Sequence, residues 1–117
     1  MQVVCTRHAV SNGDDVEAPH RRSFDFPDGT ELPDVLTAIA RSGWLPGIAG
    51  GRATWSVASG RLVAVIAQEW QAPKFLPIIE APSLDWRDGA LFLHFNYHAQ
   101  IDPETVYRIF WGMRLQA

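Results

Sequence analysis

Four histidines, a single cysteine and a glycine-dense loop are the features of this chain whose residue types could support chemistry. His94 and His98 flank Asn96 in the run HFNYH, which would suit a metal ion or a polar ligand. On a strand, residues four apart stand ~13 Å from each other at the backbone, too far for two imidazoles to share one ion without a bulge. No metal site is therefore expected. The same period of two places His94, Asn96 and His98 on one face, where they would line a ligand groove if that face were concave. Cys5 with His8 or His20 would supply a nucleophile and a base. Alternation sets Cys5 and His8 on opposite faces, and no Gly-rich nucleophile turn or oxyanion loop accompanies them. A lone cysteine in an apolar strand reads as a small buried hydrophobe.

Gly47-Ile48-Ala49-Gly50-Gly51, followed by Arg52, resembles an anion cradle in composition. A phosphate-binding loop needs Gly-Lys-Ser/Thr opening a helix, whereas this one has no lysine and leads into a strand. Its glycines read as chain reversal between two elements. From Val35 to Gln68 there is no Asp or Glu, and the only charges are Arg41, Arg52 and Arg61, so an acid–base pair would have to come from elsewhere. Asp14 to Asp34 holds seven carboxylates, which read as turns, caps and solubilising charge, or as a dock for a basic partner. His20-Arg21-Arg22 beside them reads as a self-neutralising surface or a partner contact.

The elements that must position these groups follow from periodicity. Gln2 to Val10 and Arg21 to Phe26 alternate as strands, joined by a polar loop from Ser11 to His20. Thr30 offers a helix cap, and Leu32, Val35, Leu36, Ile39 and Ala40 recur at helical spacing, predicting a helix over 31–42 ended by Gly43 in a left-handed conformation. Segments 52–58 and 61–70 form a hairpin around Ser59-Gly60, with Val57 facing Leu62, Trp55 facing Ala64 and Ala53 facing Ile66. Val63 and Val65 point the other way, which predicts a strand covered on both sides. The prolines between Ala72 and Pro82 demote that stretch to an irregular edge. Asp88-Gly89 predicts a type I′ turn pairing Trp86 with Leu91 and Leu84 with Leu93. The next strand sends Leu91, Leu93, Phe95 and Tyr97 to one face and Phe92, His94, Asn96 and His98 to the other. Asp102-Pro103-Glu104 starts a second helix, with Val106, Ile109, Phe110 and Met113 as its apolar stripe.

The expected fold is α+β, one domain over 1–117, with a mainly antiparallel sheet of five to six strands and two helices in the order ββαββ(β)ββα. The ββαββ beginning is compatible with a β-grasp-like arrangement. With 117 residues, 47% of them hydrophobic, one core suffices. A net charge of −3 argues against general nucleic-acid binding. One cysteine excludes an internal disulfide and fits a reducing compartment. With no signal-like or membrane-spanning run, a cytoplasmic protein is expected.

These residues point away from an enzyme and toward a non-catalytic, cofactor-free binding or interaction domain, either an inhibitor- or immunity-type partner or a homodimer. The expected contact residues are Tyr107, Trp111 and Arg114 on the second helix, types favoured at interfaces. The alternative is a small-ligand binder or enzyme using Arg52, His94, Asn96 and His98.

Overall fold

The computed structural model describes residues 1–8, 20–46, 51–77 and 84–116, the side chains of 114–116 excepted. The elements run β1 (Gln2–Arg7), β2 (His20–Asp25), α1 (Leu32–Arg41), β3 (Thr54–Ala58), β4 (Leu62–Ala67), β5 (Lys74–Phe75), β6 (Trp86–Arg87), β7 (Ala90–Tyr97) and α2 (Pro103–Gln116). The strands form one sheet in the order β2-β1-β7-β3-β4-β5, with β6 pairing β7. Among the described residues there are seven strands, rather than five or six, because the proline-rich edge and the second hairpin each contribute a strand of only two residues. The sheet is mostly antiparallel, but β1 and β7 run parallel at its centre, Val3 opposite Leu91 and Cys5 opposite Leu93. The last long strand, β7, thus lies beside the first, and α1 packs its apolar side against the sheet.

Alternation decides which residues reach the core. Val3 and Cys5, Trp55 and Val57, Ala64 and Ile66, and Leu91, Leu93 and Phe95 meet Val35, Leu36 and Ile39 of α1 in one buried cluster. Burying each large aliphatic side chain there contributes about 1.5–3 kcal/mol. The helix starts one residue later than the spacing implies. Its N-cap is Glu31, without a side-chain capping bond, and a proline occupies its first turn. The Thr30 hydroxyl is turned back onto the Pro27 carbonyl at 2.6 Å, so it closes the preceding turn and cannot cap. At the other end Gly43 has φ +86, the left-handed value a side chain resists. Trp44 then packs edge-on against Phe24 and Phe95.

The central hairpin differs from the expected register by two residues, since Trp55 faces Ile66 and Val57 faces Ala64. A shift of two keeps every side chain on its face, which is why the core set survives it. The loop holds three residues, Ser59 to Arg61, and the register slips between Val57 and Ala58. Ser59 explains the extra residue. Its hydroxyl, buried, donates to the Phe92 carbonyl at 2.7 Å and accepts from the Asp85 amide at 2.9 Å, pinning the loop where β6 approaches β7. In the second hairpin Asp88 and Gly89 both have positive φ, 50 and 81, as a type I′ turn requires. Trp86 pairs with Leu91 as expected, while the Leu84–Leu93 pair does not form because β6 begins only at Trp86.

Replacing Ser59 with Ala leaves the part-buried Asp85 amide and Phe92 carbonyl without the buried hydroxyl they share. This should lower the unfolding free energy by about 1–3 kcal/mol, read from the urea midpoint at unchanged slope. An unaltered midpoint would show that the hydroxyl does not set the loop.

Candidate functional site

Of the residues expected to carry function, Tyr107 and Trp111 on α2 and His94, Asn96 and His98 beside the sheet form two surfaces, both on the side away from α1. Val65 points to that side and is fully buried, with α2 lying against its strand, whereas Val63, the extra residue at the register shift of the hairpin, joins the buried cluster on the α1 side. The connection that places α2 is strapped to β3. The His98 amide donates to Thr54 at 2.9 Å, the Thr54 amide to Ala99 at 3.0 Å, and the Thr54 hydroxyl to Ile101 at 2.8 Å. Ala99 turns the chain with φ 54. Asp102 then caps the helix through the Thr105 amide and hydroxyl, at 3.1 and 2.9 Å.

On α2 the expected contact residues separate. Tyr107 is half-buried, and its hydroxyl donates to the Phe75 carbonyl at 2.8 Å, which fastens the helix to β5. Lys74 reinforces this by pairing with Glu104 and lying over the Trp70 ring. Trp111, one turn beyond Tyr107 and 5.9 Å from it between ring centroids, is 39% exposed. The Arg114 side chain lies outside the described residues. The apolar stripe is narrower than its spacing implies. Val106 is buried and Phe110 meets the His98 ring at 5.7 Å, whereas Ile109 and Met113 are 56% and 55% exposed. α2 lies mainly over β4, with β5 touching it along one flank, so only the line of side chains facing the sheet is sealed. Ile101, in the turn before the helix, is also exposed.

The second surface is the outward face of β7. His94, Asn96 and His98 do share it, each half-buried. His94 Nδ1 lies 2.7 Å from the Thr6 hydroxyl and His98 Nε2 lies 2.7 Å from the Ser56 hydroxyl, while the Asn96 amide donates to Ser56 at 3.4 Å. His8 joins them, edge-on to His94 at 4.9 Å. Burial, and then the neighbouring His8, hold both His94 and His98 below the ordinary imidazole value, with Asn96 partly opposing this at His94. The small cleft at His94, about 220 Å³, is lined by Thr6, Arg21, Arg87 and Phe92. Its cations are Arg21 and Arg87, whose guanidinium groups flank Phe92, and not Arg52, which is exposed at the approach to β3.

Cys5 is fully buried and burial pushes its thiol up to about 12, so it packs as a small apolar group. No group of three or more His, Cys, Asp or Glu among the described residues is arranged to hold a metal ion. The glycines at 47 and 50 lie outside the described residues. A cleft of about 730 Å³ opens between the start of α1 and the β5–β6 side of the sheet, walled by Leu32, Val35, Phe75, Leu84, Trp86 and Leu91. Sequence inspection misses it because its walls come from separate segments, each of which reads simply as core or edge. No helix among the described residues is long and apolar enough to cross a membrane.

The lowered imidazole values fix the sign of a pH dependence. An unfolded chain returns both histidines to about 6.5, so it binds protons that the folded chain refuses. Stability is complete above that value and declines as pH falls from there through the lower folded values. Replacing both His94 and His98 with Gln should flatten the unfolding free energy between about pH 7 and 5. An equally steep decline in the variant would place its origin elsewhere.

Comparison with family models, with curated proteins and with solved structures finds no match for this chain.

Proposed function

We propose that this protein is a small non-catalytic interaction domain that engages a protein partner through the outer surface of α2 and the turn before it. The observation that supports this is where the exposed large apolar side chains lie. Among the described residues these are Trp86, Ile101, Ile109, Trp111 and Met113, and the last four fall between residues 101 and 113, with Ile109 and Met113 one turn apart on one flank of α2 and Trp111 on the other. Scattered single apolar residues are ordinary on a surface, but a cluster on one element is a feature of contact sites. Trp111 and Met113 are types enriched at such contacts, and Tyr107 holds the helix firmly enough to present them. A preorganised helix loses little entropy on binding.

A small-ligand site on the face bearing His94, Asn96 and His98 is the alternative. The cleft beside Phe92 favours it, but its volume falls below the ~300–1,000 Å³ usual for ligand pockets. Arg87 is already engaged bidentately by Asp85, at 3.1 and 2.9 Å, which neutralises one of the two cations. One ring nitrogen of each imidazole is already engaged, His94 Nδ1 with Thr6 and His98 Nε2 with Ser56, and the Asn96 amide also reaches Ser56. A polar sheet face satisfied by its own side chains accounts for these bonds without a ligand.

Ile109→Asp and Met113→Asp change exposed positions, so each should alter stability by less than about 0.5 kcal/mol. Trp111→Ala should weaken a partner complex by about tenfold or more. Affinity capture with the native chain and these variants, compared by mass spectrometry, should yield a protein retained by the native chain and lost with all three. Loss on His94→Ala and retention by the α2 variants would instead favour the sheet face.

A further inference from the structure

Among the described residues β2 ends the sheet, and the hydrogen bonding of β1 reveals what its outer edge offers. The Phe26 amide donates to the Met1 carbonyl at 2.9 Å and the Met1 amine to the Phe26 carbonyl at 2.7 Å, making this opposed pair the hydrogen-bonded kind. Such pairs recur at every second residue of an antiparallel ladder. In the register Val3–Phe24, Cys5–Arg22 and Arg7–His20, the even residues of β2 therefore bond to β1. The N–H and C=O groups of Arg21, Ser23 and Asp25 point outward, and these residues are exposed.

The side chains along this edge are complementary to their own copy. In an antiparallel pairing about a twofold axis at Ser23, Arg21 stands opposite Asp25 of the second copy on the face away from α1. Arg22 stands opposite Phe24 of the second copy on the α1 face. Ser23 meets itself. Every outward N–H and C=O of Arg21, Ser23 and Asp25 then finds a partner. Arg22 already lies 4.7 Å from the Phe24 ring within the chain, so the guanidinium–aromatic contact needs little rearrangement. Moving the axis to Arg22 opposes the two Arg22 residues, and like charges directly across a ladder repel. Moving it to Phe24 takes Arg21 away from Asp25. The charges that guard an exposed edge against indiscriminate pairing thus also select one register.

We propose that two copies of this chain associate through their β2 edges, centred on Ser23, into one continuous sheet. The contact is isologous, uses none of α2, and does not depend on the function proposed for that helix.

Sedimentation velocity of the full chain tests this. Over about 10 μM to 1 mM, the mass should rise from 13.1 kDa toward twice that value. Ser23→Pro removes an outward amide that β1 does not use, a position where an edge strand tolerates proline, and should leave a folded monomer throughout that range. Asp25→Arg should raise the dissociation constant about tenfold or more, and adding Arg21→Asp to it should restore association by exchanging the pair. These charge variants decide the matter if the proline variant does not fold. A native chain that stays at 13.1 kDa overturns the proposal. So does a folded Ser23→Pro chain that still dimerises, or a double reversal that fails to recover. Ile109→Asp should leave the mass profile unchanged, which separates this edge from the α2 surface.

Discussion

The structure depends on β7, an eight-residue strand held between β1 and β3. Its inward residues Leu91, Leu93 and Phe95 stand at the centre of the buried cluster, so a slip of one residue would turn them to the opposite face. Pairing β7 in parallel with β1 joins segments nearly ninety positions apart, for Val3 lies opposite Leu91. Such long-range pairing must overcome loop-closure entropy before contacts repay it. The short tethers that secure β7, the Ser59 hydroxyl on Phe92 and the reciprocal bonds of Thr54 with His98 and Ala99, lie on β3 or the loop after it. They fix β7 at both ends against the hairpin formed by the neighbouring sequence.

With β7 in place, the two faces of the sheet are covered unequally. α1 seals one face with Val35, Leu36 and Ile39. On the other, α2 rests against β4, and the outward residues of β7 stay half-buried beside it. That imbalance leaves the polar network of Thr6, Ser56, His94, Asn96 and His98 to satisfy its own hydrogen bonds. It also leaves Ile109 and Met113 beyond the line where helix and strand meet. Exposed apolar groups on α2 and a satisfied polar face on β7 have the same geometric origin.

The surface of α2 and the edge of β2 lie at opposite sides of the sheet order, so occupation of one need not obstruct the other. Two chains joined along β2 would carry their α2 helices outward. Such a pair would present two contact surfaces at once, and a partner with repeated sites would then bind with the added strength that linkage confers.

Much was legible from local rules. Period-two alternation assigned the faces of the strand from Leu91 to Tyr97, Asp88-Gly89 marked its hairpin, and Asp102-Pro103 marked the start of α2, because each is encoded by residues close in sequence. The burial of Cys5 and the shared face of His94, Asn96 and His98 followed from the same alternation. Ile109 and Met113 belong to the α2 stripe by spacing yet stand exposed, because helical spacing states which residues share a side, but not how wide a neighbour covers it. The hairpin register was off by two because Ser59 answers to Asp85 and Phe92, both distant along the chain. Sequence by itself determined the elements, their order and their inward faces, since these depend on backbone geometry and local polarity. Only the tertiary structure decided that β1 and β7 lie side by side, that Arg21 and Arg87 rather than Arg52 flank the histidine face, and which amides of β2 point outward. Those are relations between strands, set by long-range packing and hydrogen-bond phase, and no single segment contains them.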